Sequence, residues 1–303
     1  MSAAVETPSG KGAADENFPV GSWLLPAHLR PHIALYYAYA RAIDDIADNP
    51  ELPPDEKIRR LDGFARVITD APSGDPQDGD RQDGAPHDSS GAADPAYATA
   101  SAIRNSLHET GVSPRHCLDL ITAFKQDAFK SRYESWDELI GYCLNSAAPV
   151  GRYLIDLHGE PKEAHGPSDA LCNALQIINH LQDCADDFRE IDRVYIPEDW
   201  LREAGSTVAD LTATAASPAL RSVLDRCLDE VDELMREASA LPRHISSFRF
   251  AMECAVIIRI AQTLSADLRQ RDPLATRVAL SKPRYLWCGV TAILALSARR
   301  IFQ

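Results

Sequence analysis

The sequence predicts an all-α protein with a single domain. Over most of the chain, apolar residues recur at spacings of three and four, which is the period of an amphipathic helix. No segment alternates apolar and polar residues as a half-buried strand does, and no internal repeat is visible. Proline and glycine residues fall between the helical segments, so helices joined by short breaks are expected throughout.

Each predicted helix is a segment with this period. The segments are 29–48, 55–69, 97–110, 114–130, 136–158, 167–189, 217–240, 244–270 and 283–300. Two of them start with a serine followed by proline, Ser113-Pro114 and Ser217-Pro218, which is a favoured helix N-terminus. The last segment has an apolar stretch shorter than the about 20 residues that a spanning helix needs. We therefore expect that the last helix does not span a membrane. Transient contact of this helix with a membrane surface stays open.

Two segments are predicted to be disordered, a tail over residues 1–14 and an insertion over residues 71–95. They consist mainly of small and polar residues, and the insertion has no large apolar residue. A segment that has little to bury cannot offset the entropy lost on ordering. The folded domain is therefore expected over residues 15–303, with the insertion looping out between two helices.

Composition excludes some classes of protein. The chain is 45% hydrophobic and 25% charged, as is ordinary for a soluble protein, and its formal net charge is −14. That charge provides no basic surface for nucleic acid and argues against strong attraction to an anionic membrane. The seven cysteines form no Cys-x-x-Cys pair and the first fifteen residues contain no apolar leader, so we expect a cytoplasmic protein, with peripheral contact at the inner face of the membrane left open.

The first candidate motif lies late in the first helix. Asp44 and Asp48 are four residues apart and therefore project from one helical face, with Arg41 one turn earlier. Taken alone, such a pair is more often a solvated face near a helix end. Neighbours such as Tyr37 and Ile43 argue against a solvated surface here.

The second candidate motif lies in the helix predicted over 167–189. Asn179, Asp183 and Asp187 are each four residues apart, so three oxygen-bearing side chains follow one face. The preceding turn is strongly apolar, and burying several carboxylates without partners is costly unless a cation binds them. Oxygen ligands of this kind suit Mg²⁺ or Mn²⁺ better than zinc.

Together the two motifs are more specific than either alone, because two acidic faces on separate helices can line one cavity. Mg²⁺ usually takes only one or two carboxylates and fills its shell with water and phosphate oxygens. The pair therefore predicts a ligand that brings its own phosphates. A metal so bound would stabilise a departing diphosphate.

Both motifs resemble those of the squalene/phytoene synthase family of head-to-head prenyl transferases. Asp44–Asp48 matches its first aspartate motif, and Asn179–Asp187 matches the second, followed by a matching turn at Arg193–Pro197. The resemblance covers about residues 15–283.

Within the family, three features are similar to the bacterial hydroxysqualene synthases. They are the segments 16–26 and 142–152 and the residue Gln182, where other branches usually have arginine. Two positions depart from the family pattern. Ala261 stands where relatives have tyrosine, and Ala148 stands where this branch commonly has an asparagine.

The resemblance implies an isoprenoid-synthase helical bundle around a central hydrophobic cavity. It implies conversion of presqualene diphosphate to hydroxysqualene by Mg²⁺-dependent ionisation, carbocation rearrangement and water capture, without NADPH. The enzyme would work between a presqualene-diphosphate synthase and a hydroxysqualene reductase. The alternatives are condensation of two farnesyl diphosphates or two geranylgeranyl diphosphates, and a non-catalytic relative that binds a lipid or a partner protein.

The resemblance also assigns roles to residues. Expected as metal ligands are Asp44, Asp48, Asn179, Asp183 and Asp187. Expected to bind the substrate are Arg41, Gln176, Asn179, Arg193, Arg277 and, at the cavity mouth, Phe18. Expected as cavity tyrosines that stabilise a carbocation by cation–π contact are Tyr37 and Tyr142.

Overall fold

The computed structural model describes residue 5, residues 24–70 and residues 97–301, and the described residues contain no β-strand. This confirms the predicted all-α class. The helices are α1 (Arg30–Asp48), α2 (Pro54–Thr69), α3 (Ala98–Thr110), α4 (Arg115–Asp127), α5 (Trp136–Ser146), α6 (Ala148–Leu157), α7 (His165–Ile191), α8 (Glu198–Ala204), α9 (Pro218–Ala238), α10 (Leu241–His244), α11 (Phe248–Gln270) and α12 (Lys282–Ile301). Short 3₁₀ turns occupy Lys162–Ala164 and Val208–Thr212. Apart from residue 5, the predicted tail (1–14) and the predicted insertion (71–95) lie outside the described residues.

The prediction of one helix over 136–158 was wrong, because the chain breaks at Ala147 into α5 and α6. Pro149 has no N–H to donate to the carbonyl four residues earlier, and its ring would clash with that carbonyl. Pro149 therefore lies in the first turn of α6, where no hydrogen bond is expected from its nitrogen and no preceding helical carbonyl meets its ring. The cap predicted at Ser217 is confirmed, since its Oγ accepts the Leu220 N–H at 3.1 Å. The helix predicted to begin after Ser113 begins at Arg115, with Pro114 as its N-cap. The Ser113 Oγ accepts the Arg115 N–H at 3.2 Å.

The helices that carry the two motifs, α1 and α7, run in the same direction. Near their N-termini, Tyr36 of α1 stacks on Tyr153 of α6, with ring centroids 3.8 Å apart. Asp156, at the same end of α6, accepts from His165 at the start of α7, at 2.9 Å. At the opposite end, the chain leaving α7 contacts the last turn of α1. The two motifs therefore lie at the same end of the bundle.

The chain reverses where α7 ends. Asp192 has a left-handed backbone (φ 52°), a conformation in which non-glycine residues are uncommon. The Asp187 carbonyl accepts the Arg193 N–H at 3.2 Å, and the Arg132 guanidinium holds the Asp192 carboxylate at 2.5 Å. This turn directs the Arg193 side chain back towards α1.

The cysteines are free, and all are buried except Cys172, which is half-buried. Buried free cysteines of this kind pack as small apolar residues. Along the described ranges, no helix is both long enough and apolar enough to cross a bilayer.

Candidate active site

A cavity of about 280 Å³ lies between α1, α6, α7 and α11, and most of its lining is apolar. Tyr37 and Ala40 line it from α1, and Gln176 and Asn179 line it from α7. The α7 lining begins at Ser168, so at 1.5 Å per residue the cavity follows this helix for about 16 Å. Both motif helices therefore form walls of one elongated apolar chamber.

The aspartates continue the cavity-lining faces of these two helices. Asp44 lies four residues beyond Ala40, and Asp183 lies four residues beyond Asn179. Side chains at this spacing share a face. The chamber therefore has an acidic end, where α1 and α7 both present carboxylates, and an apolar remainder.

Burial and neighbouring carboxylates both act on the aspartates of the acidic end. Burial, with the nearby Asp48 carboxylate, raises the pKa of Asp44 to about 8, although Arg41 lies 3.0 Å from Asp44 and acts in the opposite direction. Burial and Asp187 likewise raise the pKa of Asp183. Carboxylates placed in this way need positive charge among them to stay ionised.

Arg193 joins the two halves of the acidic end. It is only 7% exposed, and its Nη1 lies 2.5 Å from Oδ1 of Asp48. Its Nη2 donates to the carbonyls of Ala47 and Asp127, both at 3.3 Å. The guanidinium therefore fixes the end of α7 to the ends of α1 and α4, and its position at the acidic end is compatible with the expected diphosphate contact.

The other two basic residues expected to bind substrate also lie at this end. Arg41 pairs with Asp44 and lies 3.4 Å from Asp45. Arg277 is exposed and lies close enough to Asp183 to lower the pKa of that carboxyl. The loop that carries Arg277 is held by Gln182, whose Nε2 donates to the Val278 carbonyl. The expected site residue Phe18 lies outside the described residues.

Tyr142 is not placed on the cavity wall, where it was expected. Its hydroxyl is buried and donates to Oδ2 of Asp127 at 2.9 Å, and its ring packs with those of Tyr133 and Tyr195. Tyr142 belongs to α5, of which only the C-terminal end, at Ser146, lines the cavity. Tyr37 does line the cavity.

Two residues near the acidic end were missed in the sequence. Burial raises the pKa of Asp127 to about 6, against the opposing effects of Arg193 and the Tyr142 hydroxyl. In the sequence, Asp127 differs from other carboxylates only because it lies three residues after Phe124, on the apolar face of α4. His180 was missed because it points off the motif face.

The His180 ring stacks on that of Tyr195, with centroids 3.5 Å apart. Its Nε2 lies 3.1 Å from Nε2 of the cavity residue Gln176, and its Nδ1 lies 3.9 Å from Oδ2 of Asp187. His180 thus connects a polar group of the cavity wall to a motif aspartate.

The donor atoms at the acidic end fit Mg²⁺ better than a soft metal, because they are carboxylate and amide oxygens. In the part of the chain that the structure describes, no group of three or more His, Cys, Asp or Glu residues is arranged to hold a metal by itself. Mg²⁺ does not require such a cluster, because it binds through one or two carboxylates when phosphate oxygens complete its coordination shell. The residues present therefore fit a metal that arrives with a diphosphate.

Comparisons with known proteins identify the family of the chain. Residues 12–284 match the family described as squalene/phytoene synthase. A hydroxysqualene synthase from Rhodopseudomonas palustris is 39% identical over 100% of this chain and 96% of its own length. Another, from Zymomonas mobilis, is 36% identical over 97% of this chain and 91% of its own.

Among solved structures, a squalene synthase from Alicyclobacillus acidocaldarius is similar at 28% identity, with a TM-score of 0.67 over 83% of this chain and 87% of that one. A dehydrosqualene synthase has a TM-score of 0.72 over 91% of this chain and 89% of that one, and at 18% identity it shows the fold alone. The family match extends across both aspartate motifs and the apolar chamber between them. The chain therefore belongs to the squalene/phytoene synthase family.

Proposed function

We propose that the protein is a Mg²⁺-dependent carbon–oxygen lyase that converts presqualene diphosphate to hydroxysqualene. The observation that carries the proposal is the chamber itself, in which an apolar space about 16 Å long ends between two aspartate-bearing helices. Such a chamber fits a molecule with long hydrocarbon arms and a diphosphate. The names of the relatives that are 36–39% identical support hydroxysqualene as the product.

The charged residues divide into two groups by their place at the acidic end. Asp44, Asp48, Asp183 and Asp187 would hold Mg²⁺, which when bound supplies Lewis-acid stabilisation of the leaving diphosphate. Arg193 is fixed by contacts to α1 and α4 and presents its charge at the same end, where it would bind the diphosphate. Because that positive charge is already positioned, little reorganisation would be needed when the C–O bond breaks.

The apolar chamber would protect the carbocation that ionisation leaves behind. Apolar walls exclude bulk water, and the face of the Tyr37 ring would stabilise positive charge by cation–π interaction. Capture by a single admitted water, which gives up one proton to the released diphosphate, then gives the alcohol. No reductant is consumed, so the proposal includes no NADPH and leaves reduction to a partner enzyme.

The same proposal covers the partners. A presqualene-diphosphate synthase would supply the substrate, and a hydroxysqualene reductase would consume the product. Both molecules are strongly lipophilic, so the protein would work in the cytoplasm with transient contact to the membrane that holds them.

The direct test is product analysis. We expect purified protein with Mg²⁺, and without NADPH, to convert presqualene diphosphate to hydroxysqualene and release diphosphate. Farnesyl diphosphate alone should give no product. Consumption of farnesyl diphosphate alone would show condensation instead, and diphosphate release from neither substrate would favour a non-catalytic, binding relative.

A matched pair of variants assigns the activity to the acidic end. Asp183→Asn should lower the rate on the order of 10²-fold, as loss of one preorganised charge-stabilising group does. Asp186→Asn, on the same helix but exposed and paired with Arg189, should stay close to wild type. Equal effects of the two substitutions would contradict the assignment.

A further inference from the structure

Helix α12 carries an exposed apolar face. Leu286 and Trp287 are each 69% exposed, Val290 is 44% exposed and Leu294 is 64% exposed. At about 100° per residue, these four side chains fall within a sector about 100° wide. They account for four of the seven large hydrophobic residues that are exposed in the described part of the chain.

This helix is firmly docked, so its exposed face is not the result of fraying. On the opposite side, Cys288 and Ala292 are buried against α11. At one end Arg284 bridges to Asp267 with contacts of 2.5 and 2.8 Å, and at the other Arg300 donates to the Ile245 carbonyl at 3.2 Å. The exposed face therefore has a fixed orientation.

Two exposed basic residues lie beside this face, although the whole molecule is acidic. The sequence has no Asp or Glu after Asp272. Lys282 and Arg300 are exposed and lie about 40° from the edge of the apolar sector, whereas Arg284 is paired with Asp267. The net charge, which argues against strong attraction to an anionic membrane, is a sum over the whole chain and does not describe α12.

We propose that α12 docks the protein on the surface of an anionic lipid bilayer, with Leu286, Trp287, Val290 and Leu294 in the interface. A helix with tryptophan and leucine on one face and basic residues beside it is typical of segments that lie in the plane of a membrane. The basic residues add attraction to anionic headgroups. A second copy is a poorer occupant, because a two-fold contact would bring two positively charged helices together.

Docking here would place the chamber close to lipid. The inner side of α11 lines the cavity through Phe250, Cys254 and Ile257, and α12 packs on α11. A single helix therefore separates the docked surface from the chamber. The inference depends on the surface of α12 and does not require the proposed reaction.

The test is flotation of the full chain with vesicles of phosphatidylcholine, with and without phosphatidylglycerol. We expect binding to the anionic vesicles that weakens as salt is added, and little binding to phosphatidylcholine alone. The double variant Trp287→Ser with Leu294→Ser should bind at least about tenfold more weakly. Phe129→Ser removes an equally exposed aromatic residue outside α12 and should bind like wild type.

Two further measurements complete the design. Circular dichroism and thermal unfolding should show that the double variant is folded, and its turnover of detergent-solubilised substrate should match that of wild type. Wild-type protein that fails to bind anionic vesicles, or a double variant that binds equally well, would overturn the proposal. So would light scattering that shows a dimer in the wild type and a monomer in the double variant, because a second copy would then cover the face.

Discussion

Asp127 shows how one buried side chain connects the acidic end to the core. It lies at the end of α4, where its carboxylate accepts from the Tyr142 hydroxyl and its backbone carbonyl accepts from Arg193. Its Oδ1 is buried and has no hydrogen-bond partner among the described residues. A carboxylate with one unsatisfied oxygen favours its protonated form, which agrees with a pKa raised to about 6 by burial.

This makes a pH-dependent prediction. The folded protein binds a proton at Asp127 more tightly than the unfolded chain does, so the stabilisation from that proton is complete below about pH 4 and is lost as the pH rises through about 6. Asp127→Asn cannot lose a proton, so between pH 4 and pH 7 its free energy of unfolding should fall less than that of wild type, by about 2–3 kcal/mol. Urea unfolding without divalent cations measures this.

The control for this prediction is Asp137→Asn, which changes an exposed carboxylate on α5. It should follow the wild-type pH profile. If the Asp127→Asn profile also ran parallel to wild type, the shifted titration would have to be assigned to a different group.

At the scale of elements, the chamber depends on how closely α6 approaches α7. Gly151 of α6 faces Ser168 and Cys172 of α7, and a Cβ at position 151 would lie 2.2 Å from Ser168 Oγ and 2.7 Å from Cys172 Sγ. The absence of a side chain thus sets the spacing of two helices that both line the cavity.

We therefore expect Gly151→Ala to destabilise the protein by about 1–3 kcal/mol, because the buried Ser168 and half-buried Cys172 side chains must shift to admit the added methyl group. Gly141→Ala is the matched control, because Gly141 lies inside α5 and a Cβ there would meet no described atom within 4 Å. Alanine at that position should stabilise by about 0.5–1 kcal/mol through its higher helix propensity. Chemical denaturation compares the two, and equal stabilities would show that α6 and α7 are not closely packed at Gly151.

At the scale of the whole molecule, the acidic end joins helices that are distant in sequence, so ligand binding there should stabilise the entire domain. Mg²⁺ and inorganic pyrophosphate added together should raise Tm by roughly 5 °C or more when the ligand is at about 100 times its Kd. Neither should do so alone, because the carboxylates need the cation and the cation needs phosphate oxygens.

Differential scanning fluorimetry measures this shift, and the aspartate pair again provides the control. Asp183→Asn should lose the shift and Asp186→Asn should keep it. An equal shift with pyrophosphate alone would mean that the anion binds to arginine without a metal.

Much of the fold could be predicted because its signals are local. Helical periodicity located the main helices, and a spacing of four placed each pair of aspartates on one face. The break at Ala147 was missed because the apolar period continues through it, although Pro149 was a visible signal. The short helix α8 has only seven residues, too few for a periodic pattern.

The site was less predictable where it depends on contacts between distant helices. Tyr142 was expected on the cavity wall, but its hydroxyl contacts Asp127 and its ring packs on Tyr195, two residues from other elements. Asp127 and His180 belong to no spacing motif, and their surroundings exist only once α4, α5 and α7 have packed. The distribution of charge was equally hidden, because the sum of −14 conceals a basic C-terminal segment.

The left-handed turn at Asp192 has a consequence for how the acidic end fills. By directing Arg193 onto Asp48, it gives the protein an internal counter-ion, so the folded chain does not wait for a metal to neutralise that carboxylate. In the proposed function, Asp48 would hold the metal and Arg193 would bind the diphosphate, so each ligand would replace one residue as the partner of the other. Loading would then be an exchange of ionic partners, in which neither residue passes through an uncompensated state.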